Sequence, residues 1–210
     1  MTLFGERGYD EVTVADIAAR AGLTKRSFFN HFTDKREVVF AGLDGFQAMV
    51  LDVLAGADPG LDPLDAAVAA LTQAGEAMTA GYPEFARARQ DLIGSSPELR
   101  ERDLMKTAAI TAAVADALAR RGAADREAAF AAQAAAMVFT AAVDEWSRQP
   151  ELGLSATIAE ALRDLRAVLA APQPALAPLR NGTMSYVTGV ALPATAASGR
   201  MTGWLASSLP

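Results

Sequence analysis

The sequence predicts an all-α protein. Apolar residues recur at helical spacing from the first residues to about residue 172, capping residues stand ahead of these stripes, and no convincing period-2 run occurs before residue 175. With 51% apolar and 21% charged residues, the 210-residue chain can pack one large domain or two smaller ones.

Leu3 to Arg7 reads as the end of a helix, closed by Gly8. Thr13 opens the next. In "TVAD", Asp16 stands three residues after it, the spacing of a capping box. Val14, Ile17, Ala18 and Ala21 share one face, and Gly22 ends the helix. Thr24 caps a third helix. Asp34 with Glu37 resembles another capping box and starts a longer helix through Val38, Val39, Leu43, Phe46, Val50 and Leu54. "GADPGLDP" is a break, after which Asp62 caps and Pro63 takes the first helical position. Leu64, Val68, Leu71, Gly75 and Met78 form the next stripe. "GYPEF" turns the chain, and Ser96 with Pro97 repeats the cap-then-proline signal for a helix ending at Arg121 and Gly122. Asp125 starts another, reaching about Gln149. Ser155 is expected to cap the last, with Ile158, Leu162, Leu165 and Leu169 on one face. Residues 173–210 carry two charges, Arg180 and Arg200, and no sustained helical period. They read as a disordered tail or a partner-binding segment.

Composition excludes several chemistries. The chain has no cysteine and one histidine, so disulfides, thiolate chemistry and Cys/His zinc sites are out, and neither metal nor cofactor is expected. No P-loop or GxGxxG occurs, and the adjacent acids Asp144 and Glu145 face different directions on a helix. His31 is the one histidine base available, with no triad partner near it in sequence. An enzyme is not expected. No basic segment followed by an apolar run opens the sequence, and no stretch of 18 apolar residues occurs, which points to a cytoplasmic chain with no membrane partner.

The net charge of −6 alone argues against a nucleic-acid partner. Its distribution argues otherwise. From Arg20 to Arg36 there are five cations and one acid. Two short helices joined by "AGLT" have the form of a helix-turn-helix, with Leu23 plugging the angle between them. In "TKRSFFNHF", Phe28 and Phe32 stand four apart and share the face that packs on Ile17 and Ala18. Lys25, Arg26, Ser27, Phe29, Asn30 and His31 are left to point elsewhere. A helix of this size fits a major groove, where Lys and Arg donate to guanine and Asn pairs with adenine. Thr13 and Lys35 stand at the starts of flanking helices, in reach of phosphates, and Thr24 is counted with the DNA-contacting residues. A solvated face on an ordinary helical bundle would also explain the cations. Helix lengths, glycine turn and charge together favour the DNA reading.

The stretch "LFGERGYDEVTVADIAARAGLTKRSFFNHFTDKREVV" resembles the DNA-binding domain of the TetR/AcrR family of bacterial regulators, over about residues 3–43. By that resemblance Lys25, Arg26, Ser27, Phe29 and His31 fall where family members touch bases or backbone, and Thr13 and Lys35 where they touch phosphate. It implies a domain at residues 1–45, a ligand-binding and dimerisation domain at 46–172, and a tail at 173–210. The partners implied are double-stranded operator DNA and a second copy of the chain, docked through the last two helices. Ala128 to Ala142 would allow close approach there, and Ile158, Leu162, Leu165 and Leu169 would supply apolar contact. The alternative is that these faces close the monomer core. "ELRERDLMKTAAITAAVADALARRG" through "AAVDEW" also resembles the subset with an acyl-CoA-like ligand-binding domain. The implied function is a repressor released by a small hydrophobic or acyl-like effector. Met78, Tyr82, Phe85, Met105, Phe130, Met137, Phe139 and Trp146 are the bulky residues available for its pocket, with Arg87 or Arg89 as an anion anchor. Family members usually carry ten or more residues ahead of the "LF". The resemblance therefore predicts a first helix cut short at Met1, with weaker DNA binding and a less stable N-terminal domain. A ligand-binding protein impaired in DNA binding is the alternative function.

Overall fold

A computed structural model describes residues 2–80, 83–171, 185–187 and 190–192. They divide between two units, residues 1–170 and 171–210. The first unit is helical, as the spacing predicted. Its helices are α1 (Thr2–Arg7), α2 (Val14–Arg20), α3 (Lys25–Phe29), α4 (Lys35–Val39), α5 (Leu43–Gly56), α6 (Pro63–Thr79), α7 (Pro83–Ser95), α8 (Pro97–Arg120), α9 (Asp125–Arg148) and α10 (Leu154–Ala170). In the second unit Ser185–Val187 (β1) pairs antiparallel with Val190–Leu192 (β2), Ser185 opposite Leu192. The rest of the expected tail lies outside the described residues.

Local signals hold where they were strongest. Thr13 and Asp16 form the full capping box of α2, and the Thr24, Asp62 and Ser96 side chains cap α3, α6 and α8. Three expectations are corrected. The long helix from Asp34 is two helices: Gly42 takes φ +95°, a left-handed conformation that suits glycine, and separates α4 from α5. Ser155 does not cap α10, which begins one residue earlier, after Gly153. Leu23 does not plug the helix-turn-helix; it is 48% exposed. The turn is instead closed by the Leu23 N–H donating to the Ala18 carbonyl at 2.8 Å, with Gly22 at φ +68°. Helix α7 is not foreshadowed by the sequence, where "GYPEF" signals only a turn.

Two apolar clusters hold this unit together. The larger draws on α5, α6, α8, α9 and α10, with Val50, Leu54, Ala67, Ala135, Leu118 and Ile158 almost fully buried. The many alanines of α6 and α9 let these helices pack closely. The smaller cluster joins Phe4 of α1, Tyr9, Val12, Val39 and Phe40 to Leu92 and Ile93 of α7 and Leu99 of α8. Six-residue α1 is too short to persist alone, and burial of Phe4 against this cluster is what holds it.

Candidate nucleic-acid interface and internal cavity

The α3 segment divides by face. Phe28 is 2% exposed and Phe32 half-buried, their ring centroids 5.3 Å apart. The Phe32 N–H donates to the Phe28 carbonyl at 3.0 Å, so the helical path runs past Phe29. Thr24, Lys25, Arg26, Phe29, Asn30 and His31 are exposed, and Ser27 is half-buried. The Thr24 hydroxyl accepts from the Ser27 N–H and lies 3.0 Å from the Ser27 hydroxyl. Among the described residues no ion pair or side-chain hydrogen bond engages Lys25, Arg26, Asn30 or His31. The surface therefore presents two uncommitted cations, an amide and an imidazole around an exposed phenyl ring.

The two expected phosphate donors have partners within the chain. Lys35 turns inward. Its Nζ donates to the carbonyls of Tyr9 at 2.9 Å and Val12 at 3.2 Å and lies 4.2 Å from the centre of the Tyr9 ring. The Thr13 hydroxyl donates to Asp16 Oδ2 at 2.6 Å. Both groups spend their donors on the loop and cap that shape the domain. With the Thr13 hydroxyl and N–H bonded to it and Arg7 3.1 Å away, the Asp16 carboxyl is held down at about 2.

Behind this surface, α4 is fastened to α7 and α8. The sequence predicts Glu37 as half of a capping box. Asp34 does cap α4, but the Glu37 carboxylate instead accepts from Arg102 Nε at 2.7 Å and lies 3.3 Å from Lys106 Nζ. Arg36 reaches Glu98 at 3.2 Å. Arg89 of α7 donates from Nε to the Val39 carbonyl at 3.0 Å, and its guanidinium lies over the Phe40 ring. Sequence reasoning missed these links. The one available signal was Arg102 and Lys106, four apart on a single helix face.

A cavity of about 480 Å³ lies among α5, α6, α7, α9 and α10. Met78, Phe85, Arg89, Phe139 and Trp146, all expected there, line it. Phe46, Gly75, Gln90 and Leu154 line it as well and were not expected. At Gly75 a Cβ would stand 3.0 Å from Phe139 and 3.1 Å from Leu154, so the absent side chain lets both residues close over the cavity wall. Met105, Phe130 and Met137 are corrected. They are 58%, 65% and 55% exposed: Met105 stands off the buried stripe of α8, which Leu99, Thr111, Val114, Ala117 and Leu118 form, and Phe130 and Met137 stand off the mostly alanine stripe of α9. Arg87 is exposed and donates to the Ser147 carbonyl. Tyr82 lies outside the described residues.

The expected dimer contacts are also redistributed. Ile158 is buried in the monomer, and Leu162 and Leu165 pack on the same core. Leu169, at 68% exposed, is the one of the four left outside. No described helix is long and apolar enough to cross a membrane.

Comparison with known families fits both halves of this geometry. Residues 1–41 match the family model described as bacterial regulatory proteins, tetR family. Residues 61–170, more than half of the chain, match the model described as MftR C-terminal domain. No curated protein matches the chain.

Proposed function

The chain belongs to the TetR family of bacterial regulatory proteins, and on that premise we propose that it is a repressor which a small apolar effector releases from its operator. The observation that carries this is the division of α3: Phe28 buried as an anchor, Lys25, Arg26, Asn30 and His31 exposed and uncommitted. Such a helix enters a major groove with its cations toward guanine edges and phosphates. Residues 1–45 form the DNA-binding domain in this reading, residues 46–172 the ligand-binding and dimerisation domain, and 173–210 a tail. The effector occupies the 480 Å³ cavity.

A second copy of the chain completes the reader, because two recognition helices read two half-sites related by two-fold symmetry. The outward faces of α9 and α10 supply the contact, with Phe130, Met137, Val168 and Leu169 as its apolar residues. The effector acts by favouring a dimer whose recognition helices no longer match the half-site spacing.

Fluorescence anisotropy with DNA flanking the chain's own gene, at a fixed salt concentration, tests this reading. Binding in excess of that to scrambled DNA, steep in salt, is expected. Equal binding to both DNAs would leave a ligand-binding helical protein in its place.

A further inference from the structure

Arg89 stands where two chambers meet. The 480 Å³ cavity has an apolar wall, and Arg89 is the one charged residue among the described residues that line it. A smaller chamber of about 110 Å³ shares Arg89, Gln90 and Phe139 and adds Asp103, Thr107 and Thr111. The Arg89 side chain is 12% exposed. It bonds Asp103 through one contact, Nη2 to Oδ1 at 3.2 Å, and the Val39 carbonyl through Nε. A guanidinium has five N–H donors. Among the described residues the Arg89 Nη1 group makes no hydrogen bond.

Burial holds the Arg89 guanidinium below its usual range, with Asp103 opposing that shift, and burial raises the Asp103 carboxyl. Both charges are thus poorly solvated, and one monodentate contact does not satisfy either. A carboxylate entering from the large chamber can take two N–H donors side by side, a geometry stronger than the single Asp103 bond. Asp103 is itself a third exposed and can turn toward water when displaced.

We propose that the effector is an apolar monocarboxylic acid, its tail in the large chamber and its carboxylate on Arg89 in place of Asp103. This rests on reading the cavity as the effector site. The same guanidinium holds the Val39 carbonyl and lies over Phe40 at the end of α4. Taking up the acid therefore acts on a residue already bonded to the helix behind the DNA-reading surface.

The test uses the full chain with Trp204→Phe, which leaves Trp146 in the cavity wall as the sole indole. Decanoate and decanamide share a tail and differ in head charge. Each is titrated by Trp146 fluorescence and by calorimetry. Decanoate is expected to bind about tenfold or more tighter than decanamide. Arg89→Gln should abolish that preference while changing decanamide affinity less than about threefold, and Asp103→Asn should tighten decanoate several-fold by removing its competitor. Arg89→Lys, which keeps the charge, should retain part of the preference and stands in if Arg89→Gln does not fold. Equal binding of the two compounds overturns the acid assignment and leaves the cavity as the effector site. Binding of neither overturns both readings.

Discussion

Glu37 of α4 and Arg102 of α8, 65 residues apart, are joined by a hydrogen bond of 2.7 Å that ties the helix following α3 to α8. Lys106 shares the same carboxylate. The Glu37 side chain is 19% exposed and Arg102 32%, so water screens the pair less than it would a surface bridge.

Glu37→Gln should lower stability by about 1–2 kcal/mol, between the values of exposed and buried pairs. A double-mutant cycle with Arg102→Gln, read by urea unfolding, should return a coupling of about 1 kcal/mol. Additive single effects would show that the contact does not couple the two helices energetically.

Lys25→Ala and Arg26→Ala should each weaken operator binding by about 1–3 kcal/mol where the side chain reads a base edge, and reduce the salt slope where it touches phosphate. Melting temperature should stay put, since both side chains are exposed and uncommitted. Phe28→Ala should behave oppositely. It removes a buried ring and costs stability, about 3–5 kcal/mol. Unchanged operator affinity in both cation variants would refute the assignment of α3 to the groove.

Tyr9 is 4% exposed, and its hydroxyl finds no partner among the described residues. Tyr9→Phe should therefore be neutral or stabilising by up to about 1 kcal/mol. Burial, with Glu98 next, pushes its phenol from 10.0 up to about 12. The unfolded chain ionises first, so this share of stability is complete below pH 10.0 and is lost as pH rises through about 12. Unfolding curves across that window should fall less steeply for Tyr9→Phe than for the wild type.

Asp16 gives the opposite limb. Its carboxyl is lowered from 3.8 to about 2, first by the Thr13 hydroxyl. Its contribution is present above pH 3.8 and is lost as pH falls through about 2. Acid unfolding of Asp16→Asn should be flatter in that window, and Thr13→Ala should show part of the same flattening. An acid limb identical to the wild type in both variants would contradict the capping geometry.

Much of the fold was legible because caps and helical period are local. Thr13 with Asp16, Thr24 with Ser27 and Asp62 before Pro63 lie within three residues of each other, and each marks a helix start where the structure has one. The break at Gly42 was missed because the apolar stripe continues in phase across it, from Val39 to Phe46 and Val50. The cavity was half legible. Bulky residues stood out against alanine, but Met105, Phe130 and Met137 looked no different from Met78, Phe85 and Trp146 until the helices were packed.

The sequence by itself determined the helical first unit, its helix-turn-helix and the two faces of α3, since hydrogen bonds and side-chain spacing within a few residues decide them. Tertiary structure alone decided that Lys35 turns to the Tyr9 and Val12 carbonyls, that Glu37 leaves its cap for Arg102, and that Arg89 stands between a cavity and the end of α4. Those contacts join residues 23 to 65 positions apart. An ammonium or a carboxylate has the same attraction for many partners, and only the packing of helices fixes which one comes within reach.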